Sequence, residues 1–420
     1  MNSYKEMNRT KTESIFDSKV YLVISVGIVY CLSLFTNVQI SAIMTVLFAL
    51  FGCTINKFLP LSIWISLYYL EVTMPGTWQI ILWIICFFPM ITKLIRLRDF
   101  LIILSSAALF FISYWLGYNP DLTSLIMQVF AIVTYLMVLS RLQNMENASL
   151  ILSSFMLGGV LVLINVVFQI ATNPSFLTMQ RLTYNDSVRT LANLLTIPIY
   201  LLAYLIISNS SYFRRHRIFV LFSLFVFSAV LLLTYSRGNI LALIVVLAFV
   251  SVKIMAKQSL KKSFFVLFGF LGFAAIIILT ININTTFLFG TDTALGRFDI
   301  WKFYFSKLFE GGPIRVLFGF GPGDVRRVAG SSFFSRYYAH SSIFDYGFSY
   351  GFIGLAFILG LIVFSFKQLK GKNSFFNVGL LILTVLMFLP YGSCQHLGLH
   401  VLLALAATSL VVIEGDNNDI

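Results

Sequence analysis

The sequence predicts an all-α, polytopic helical membrane protein, and three observations carry that prediction. Hydrophobic residues make up 59% of the 420-residue chain and charged residues only 11%, against roughly 25% charged in an ordinary globular protein. With 44 Phe and 19 Tyr, the chain holds more apolar surface than one water-soluble core buries. Its apolar residues also fall into runs close to the about 20 residues a helix needs to cross the hydrocarbon core, separated by short charged clusters. Because lipid offers no partner to a free backbone N–H or C=O, such runs are read as helices.

Taken in order, the runs place spans in the first half at 20–36, 38–55, 58–73, 78–92, 100–116, 122–139 and 150–171. The second half adds 190–207, 218–235, 239–252, 264–281, 343–366, 375–392 and 396–413. Several are short, so the expectation is about 12–14 transmembrane helices. The organisation that follows is 1–149, the N-terminal spans; 150–281, central spans with short outer loops carrying Arg181, Arg189 and Arg237; 282–342, one long outer loop containing an amphipathic helix; and 343–420, the C-terminal spans.

The net charge of +13 would suggest nucleic acid in a soluble domain. Here the charge sits between apolar runs, with no basic stripe alternating with aromatics, so no nucleic-acid partner is expected. Cytoplasmic loops of membrane proteins are enriched in Lys and Arg. Starting the N-terminus in the cytoplasm and alternating, 19 of the 29 basic residues fall inside and 10 outside. Both termini are then cytoplasmic. No cleavable leader is apparent, since a mixed-charge stretch runs up to Lys19 and the apolar run after it lacks an A-x-A-like site. Cys31, Cys53, Cys86 and Cys394 lie in or beside apolar runs without a CxxC pair and read as small buried hydrophobes.

All ten outward basic residues lie between Arg181 and Arg336, and eight of them are arginine, whereas lysine predominates inside. Topology is indifferent to which cation is used. Phosphate recognition prefers the planar guanidinium fork.

Three outward stretches concentrate this chemistry. In the loop before the span at 190–207, Arg181 and Arg189 bracket Tyr184, Asn185 and Asp186. Unpaired N–H groups at a helix start attract anions, and an adjacent arginine strengthens the pull; the same residues also read as a capped helix with interfacial anchors. The turn Ser236-Arg237-Gly238 is so short that Arg237 is held at or just below the interface, where a cation needs a partner or a function. The long loop begins with an amphipathic helix over 294–310, with Leu295, Phe298, Trp301, Phe305 and Leu308 on one side and Asp299, Lys302, Ser306 and Glu310 on the other. Arg297 stands near its N-terminal end.

Beyond that helix come Gly319, Gly321 and Gly323, which permit close backbone approach to a ligand. The spacing is neither a Walker A motif nor a dinucleotide fingerprint. Arg326, Arg327 and Arg336 follow, and His340 stands at the mouth of the span at 343–366. Neighbouring arginines favour a neutral imidazole, which suits a general base; an interfacial histidine is the blander reading. His396 and His400 form an i, i+4 pair with no carboxylate near in sequence, so structural polar contacts are expected rather than a metal site. Glu71 and Asp345 are further candidate acids, ranked behind His340. No metal and no cofactor is expected.

The order of these motifs is distinctive: R-L-T-Y-N-D-S-V-R, then S-R-G, then G-R-F-D-I-W, G-F-G and H-S-S-I-F-D-Y-G-F-S-Y-G-F-I-G-L. Over roughly 150–366 the chain resembles the O-antigen polymerase and O-antigen ligase superfamily of bacterial surface-polysaccharide assembly. The resemblance implies a metal-independent integral membrane glycosyltransferase of the inner membrane, acting on its periplasmic face. Its donor is a glycan on undecaprenyl pyrophosphate, and its acceptor is a sugar hydroxyl. Membrane lipids and a chain-length regulator are the other implied partners.

Carried onto this chain, the resemblance makes His340, Arg237 and Arg297 the catalytic set, with Arg181, Arg189, Arg326 and Tyr184 binding pyrophosphate or substrate. Tyr184 replaces the family's usual glycine, and Arg189 stands where an uncharged residue is common. Low-complexity composition and divergent motifs favour a polymerase over a ligase that acts on lipid A-core. A lipid-linked oligosaccharide flippase is the alternative from another class, but the two halves lack the self-similarity expected of many transporters.

Overall fold

The computed structural model describes residues 2–35, 38–68, 81–86, 97–118, 121–142, 145–172, 188–234, 236–255, 294–323, 328, 341–369, 375–388 and 397–408, with backbone alone for 2–16, 34–35, 38, 68, 98, 145, 188–191, 237, 255, 294–297 and 397–398. Among these residues helix is the only regular secondary structure. In chain order the helices are α1 (Asn2–Phe35), α2 (Val38–Ile55), α3 (Leu59–Tyr68), α4 (81–86), α5 (Leu97–Trp115), α6 (Leu122–Arg141), α7 (Met145–Thr172) and α8 (Val188–Ile207). They continue as α9 (Ser211–Arg215), α10 (Arg217–Leu233), α11 (Arg237–Met255), α12 (Ala294–Glu310), α13 (Gly312–Phe318), α14 (Ser342–Gln368), α15 (Phe375–Phe388) and α16 (Leu397–Ala407).

Every expected span except 264–281, which lies outside the described residues, falls wholly or partly on one of these helices. By length and composition, Leu122–Arg141, Glu146–Thr172 and Ser342–Gln368 can each cross a bilayer, and six shorter helices are equally apolar in character. The protein is an all-α polytopic membrane protein. One difference lies at the start, where α1 begins at Asn2 and not near residue 20. The stretch before Lys19 has no Gly or Pro and is rich in Lys, Glu, Met and Arg, all good helix formers.

The distribution of side chains is inverted relative to a water-soluble protein. On α2, Ile40, Ile43, Leu47 and Phe51 are exposed while Ser41 and Thr45 are fully buried. On α5, Leu104, Phe111 and Ile112 are exposed while Ser106 and Ser113 are buried. Helix packing in lipid favours just this, with small and hydroxyl side chains at the contacts and large apolar ones facing acyl chains.

The chain forms two compact units that interleave along the sequence. The first comprises 1–95, 140–203 and 212–236. In it α1 packs on α2, α3 and α7, and α3 packs on α7. Polar bonds tie these helices: Lys19 Nζ donates to Ser149 Oγ at 2.8 Å, Asn56 Nδ2 to Asn147 Oδ1 at 3.2 Å, and Ser66 Oγ to the Ser154 carbonyl at 3.1 Å. Trp64 and Trp83 meet edge to face at 4.7 Å. Gly159 of α7 is a point of close approach: a Cβ there would lie 2.7 Å from Pro198 Cγ and 3.1 Å from Phe227 Cε1.

The second unit comprises 96–139, 204–211 and 237–420. Its helix α14 contacts α5, α12, α13, α15 and α16, while α15 packs on α11 and α16. Tyr135 Oη and Ser365 Oγ bond at 2.7 Å between α6 and α14, and Asn377 Nδ2 donates to the Thr408 carbonyl. Contrary to the continuous span expected at 343–366, α14 is broken at Gly351, whose φ of 67° and ψ of −164° are non-helical.

Candidate functional site

The arginines singled out from the sequence differ in how far the structure places them. Arg189 is the second residue of α8, in the first unit. Arg237 opens α11 directly after a tight turn. There Thr234 Oγ1 donates to the Leu231 carbonyl at 2.6 Å and accepts from Ser236 N–H at 3.2 Å, at the C-terminal end of α10. Arg297 is the fourth residue of α12. The backbones of these three are placed, and their side chains lie outside the described part. Arg181, Tyr184, Arg326, Arg327, Arg336, His340, Glu71 and His396 lie wholly outside the described residues.

Helix α12 runs from Ala294 to Glu310 as the periodicity predicts. Its buried face is Ile300, Tyr304 and Leu308, which form one core with Phe320 and Phe348. Trp301 and Phe305 flank this face, meeting Phe344 tilted at 4.6 Å and edge to face at 5.7 Å, and Phe305 also meets Phe348 at 4.9 Å. Phe298, expected on the apolar side of this helix, is 62% exposed. An amphipathic helix at a membrane surface has protein and lipid as apolar neighbours, and hydrophobicity alone does not say which side chain meets which. The structure thus brings the helix carrying Arg297 against the helix that His340 precedes.

The entry to α14 is buried and polar. Ser341 caps the helix, its Oγ accepting from Phe344 N–H at 3.4 Å. Ser342 is fully buried and Asp345 nearly so, at 8% exposure. One turn deeper, Tyr346 Oη accepts a bond from Gln128 Nε2 and pairs with His400 Nε2 at 3.0 Å. All three side chains are fully buried. The expectation of structural contacts holds for His400, whose ring also meets Phe388 edge to face at 5.6 Å. These bonds offset part of the several kcal/mol that isolated polar groups cost in an apolar interior, while Gln128 Oε1 has no partner among the described residues.

The glycine-rich segment approaches backbone, as its composition suggested, but the backbone is that of α14. Gly319, Gly321 and Gly323 have φ of 76°, 94° and 144°, values that L side chains disfavour. A Cβ on Gly319 would lie 2.5 Å from Gly351 N and 2.6 Å from the Phe348 carbonyl oxygen; one on Gly351 would lie 2.2 Å from the Leu317 carbonyl oxygen. The two glycines interlock. Neither this pairing nor the Gln128–Tyr346–His400 set was anticipated; the only signal was the glycine series 347, 351 and 354 inside an apparent span.

Fold and site together define a polytopic membrane protein with an amphipathic helix and a glycine-rich segment docked on a broken helix. A family model described as O-antigen ligase matches residues 221–359, the stretch that contains Arg237, Arg297, Arg326, His340 and the break of α14 at Gly351. This match supports the O-antigen ligase and polymerase superfamily and, in general, glycan transfer of that type. No curated protein matches the chain significantly.

Proposed function

We propose that the protein polymerises lipid-linked O-antigen repeat units, transferring the glycan from undecaprenyl pyrophosphate to an acceptor sugar hydroxyl on the periplasmic face of the inner membrane. The observation that carries the reading is that the family match embraces Arg237, Arg297 and His340 in order, with α12, the helix of Arg297, seated on the helix that His340 enters.

In the transfer, the acceptor hydroxyl oxygen attacks the anomeric carbon as the His340 imidazole takes its proton. The bond from that carbon to the pyrophosphate oxygen breaks, and its electron pair stays on the departing phosphate. Arg181, Arg237 and Arg297, assisted by Arg189, Arg326 and Tyr184, hold this group and stabilise the charge that develops on it. Preoriented donors in a site of reduced dielectric are the largest source of such stabilisation. No step calls for a metal ion or a cofactor. Topology follows the positive-inside count, with both termini cytoplasmic.

A second reading, ligation of the finished glycan to lipid A-core, is favoured by the description of the matching family. A deletion strain separates the two. Lipid A-core bearing a single repeat, with the ladder restored by the wild-type gene, supports polymerase. Bare core with long lipid-linked chains accumulating outside supports ligase. Single repeats trapped on the inner face mean a flippase and overturn both.

A further inference from the structure

We infer that Arg315, with Gly319 and Gly351, forms a backbone clasp that sets the position of the entry of α14, so that Arg315 is a positioning residue for glycan transfer and not one more phosphate ligand. The activity part of this inference rests on the proposed transfer reaction; the structural part does not.

The clasp is built on two edges of residues 319–323. On one edge, Phe320 N–H donates to the Phe348 carbonyl at 2.8 Å and Gly321 N–H to that of Ser349 at 2.9 Å, in the turn just before α14 breaks. On the other, the Phe320 carbonyl accepts from Tyr118 N–H at 2.8 Å and that of Pro322 from Asp121 N–H at 2.9 Å. Asp121 in turn caps α6, its carboxylate accepting from Thr123 N–H, Ser124 N–H and Ser124 Oγ. The glycine-rich segment is therefore bonded on both edges, between a helix break and an interhelical turn.

Arg315 closes this arrangement. Its Nη1 donates to the Leu116 carbonyl, just past the end of α5, and lies 3.4 Å from the Gly319 carbonyl. Helix ends leave carbonyls without intrahelical partners, and a guanidinium bond to one is charge-assisted. Gly311 leaves room for the arginine stem, since a Cβ there would lie 2.6 Å from Arg315 Cγ. A side chain committed to two carbonyls from different segments holds those segments together.

What it holds is the entry of α14, from the Ser341 cap to the Phe348 and Ser349 carbonyls that the clasp binds. Val328 packs against the aromatic core of α12 and α14 on the same side. Loss of Arg315 therefore acts on transfer through the position of this helix entry, without loss of a phosphate contact.

The test uses the purified full-length protein, lipid-linked repeat extracted from the deletion strain, and inorganic pyrophosphate as an inhibitor. Arg315→Met keeps the stem against Gly311 and removes only the donors; Arg315→Lys restores one nitrogen. For Arg315→Met we expect amides of Tyr118, Asp121, Phe320 and Gly321 to exchange hydrogen at least tenfold faster, kcat to fall at least tenfold with KM within threefold, and pyrophosphate inhibition within twofold. Arg315→Lys should return exchange and kcat to within threefold of wild type, and Gly319→Ala should reproduce the Arg315→Met pattern. Unchanged exchange in Arg315→Met overturns the clasp. Tenfold weaker pyrophosphate inhibition in that variant, not rescued by lysine, would make Arg315 a phosphate ligand and overturn the positioning role. An inactive wild type sinks the transfer reading alone, because the exchange measurement still decides the clasp.

Discussion

Replacing Gly351 by alanine attacks the broken helix at its narrowest point. The residue has φ 67° and ψ −164°, a region essentially reserved for glycine, where a side chain costs about 1–3 kcal/mol. The new Cβ would stand 2.2 Å from the Leu317 carbonyl oxygen and 2.6 Å from Phe318 N. Both are backbone atoms, so no rotamer change relieves the contact. Moving α13 away breaks one or both bonds from Phe320 and Gly321 to α14, each contributing about 0.5–1.5 kcal/mol net. The expected loss is about 1.5–6 kcal/mol from these two sources. Gly360 is the control, on the same helix with open space around it, where alanine gains about 0.5–1 kcal/mol through helix propensity. Reversible unfolding of the purified protein in mixed SDS micelles, followed by tryptophan fluorescence, measures both. Equal stability of Gly351→Ala and Gly360→Ala would show that α14 runs through unbroken and that the clasp does not exist.

Other changes probe the remaining contacts. Gly159→Ala should destabilise by about 1–3 kcal/mol through overpacking, because Pro198 and Phe227 already close on that position; the same unfolding assay reads it, and a neutral result would mean α7 stands further off. Tyr346→Phe removes the oxygen that Gln128 and His400 share and should cost about 1–3 kcal/mol. Adding His400→Leu should then cost less than in the wild type, whereas strict additivity would show the two side chains to be uncoupled. Arg237→Lys and Arg297→Lys should each lower turnover at least tenfold with unfolding unchanged, because a point charge does not reproduce the bidentate fork; full turnover in either removes that residue from the site.

Much of the architecture was readable because lipid imposes a simple demand. Long apolar runs must be helices, and the runs at 122–139, 150–171 and 343–366 coincide with α6, α7 and α14. The amphipathic helix was also readable to its ends, since Ala294–Glu310 alternates polar and apolar faces at the helical period. Which of its side chains meet protein was not readable: Ile300 and Tyr304 go inward while Phe298 is left exposed, a choice between protein and lipid that hydrophobicity does not encode. The break at Gly351 escaped notice because glycine is common in membrane helices, and the partner that makes it necessary, Gly319, is distant in sequence. The same distance hid the Tyr346–His400 pair and the bond from Arg315 to Leu116. Arginine in an outward loop advertises phosphate chemistry, yet Arg315 spends its guanidinium on backbone.

The transfer reading stands or falls on one reconstitution. Purified protein is mixed in liposomes with lipid-linked repeat from the deletion strain, and both the glycan length and the released undecaprenyl pyrophosphate are followed by mass spectrometry. The account predicts chains of two or more repeats, with one pyrophosphate carrier freed per linkage, and a loss of at least 100-fold in His340→Ala, the scale on which removing a positioned general base acts. Elongation undiminished in His340→Ala would remove the proposed base. No elongation and no carrier release by the wild type would contradict the polymerase reading itself.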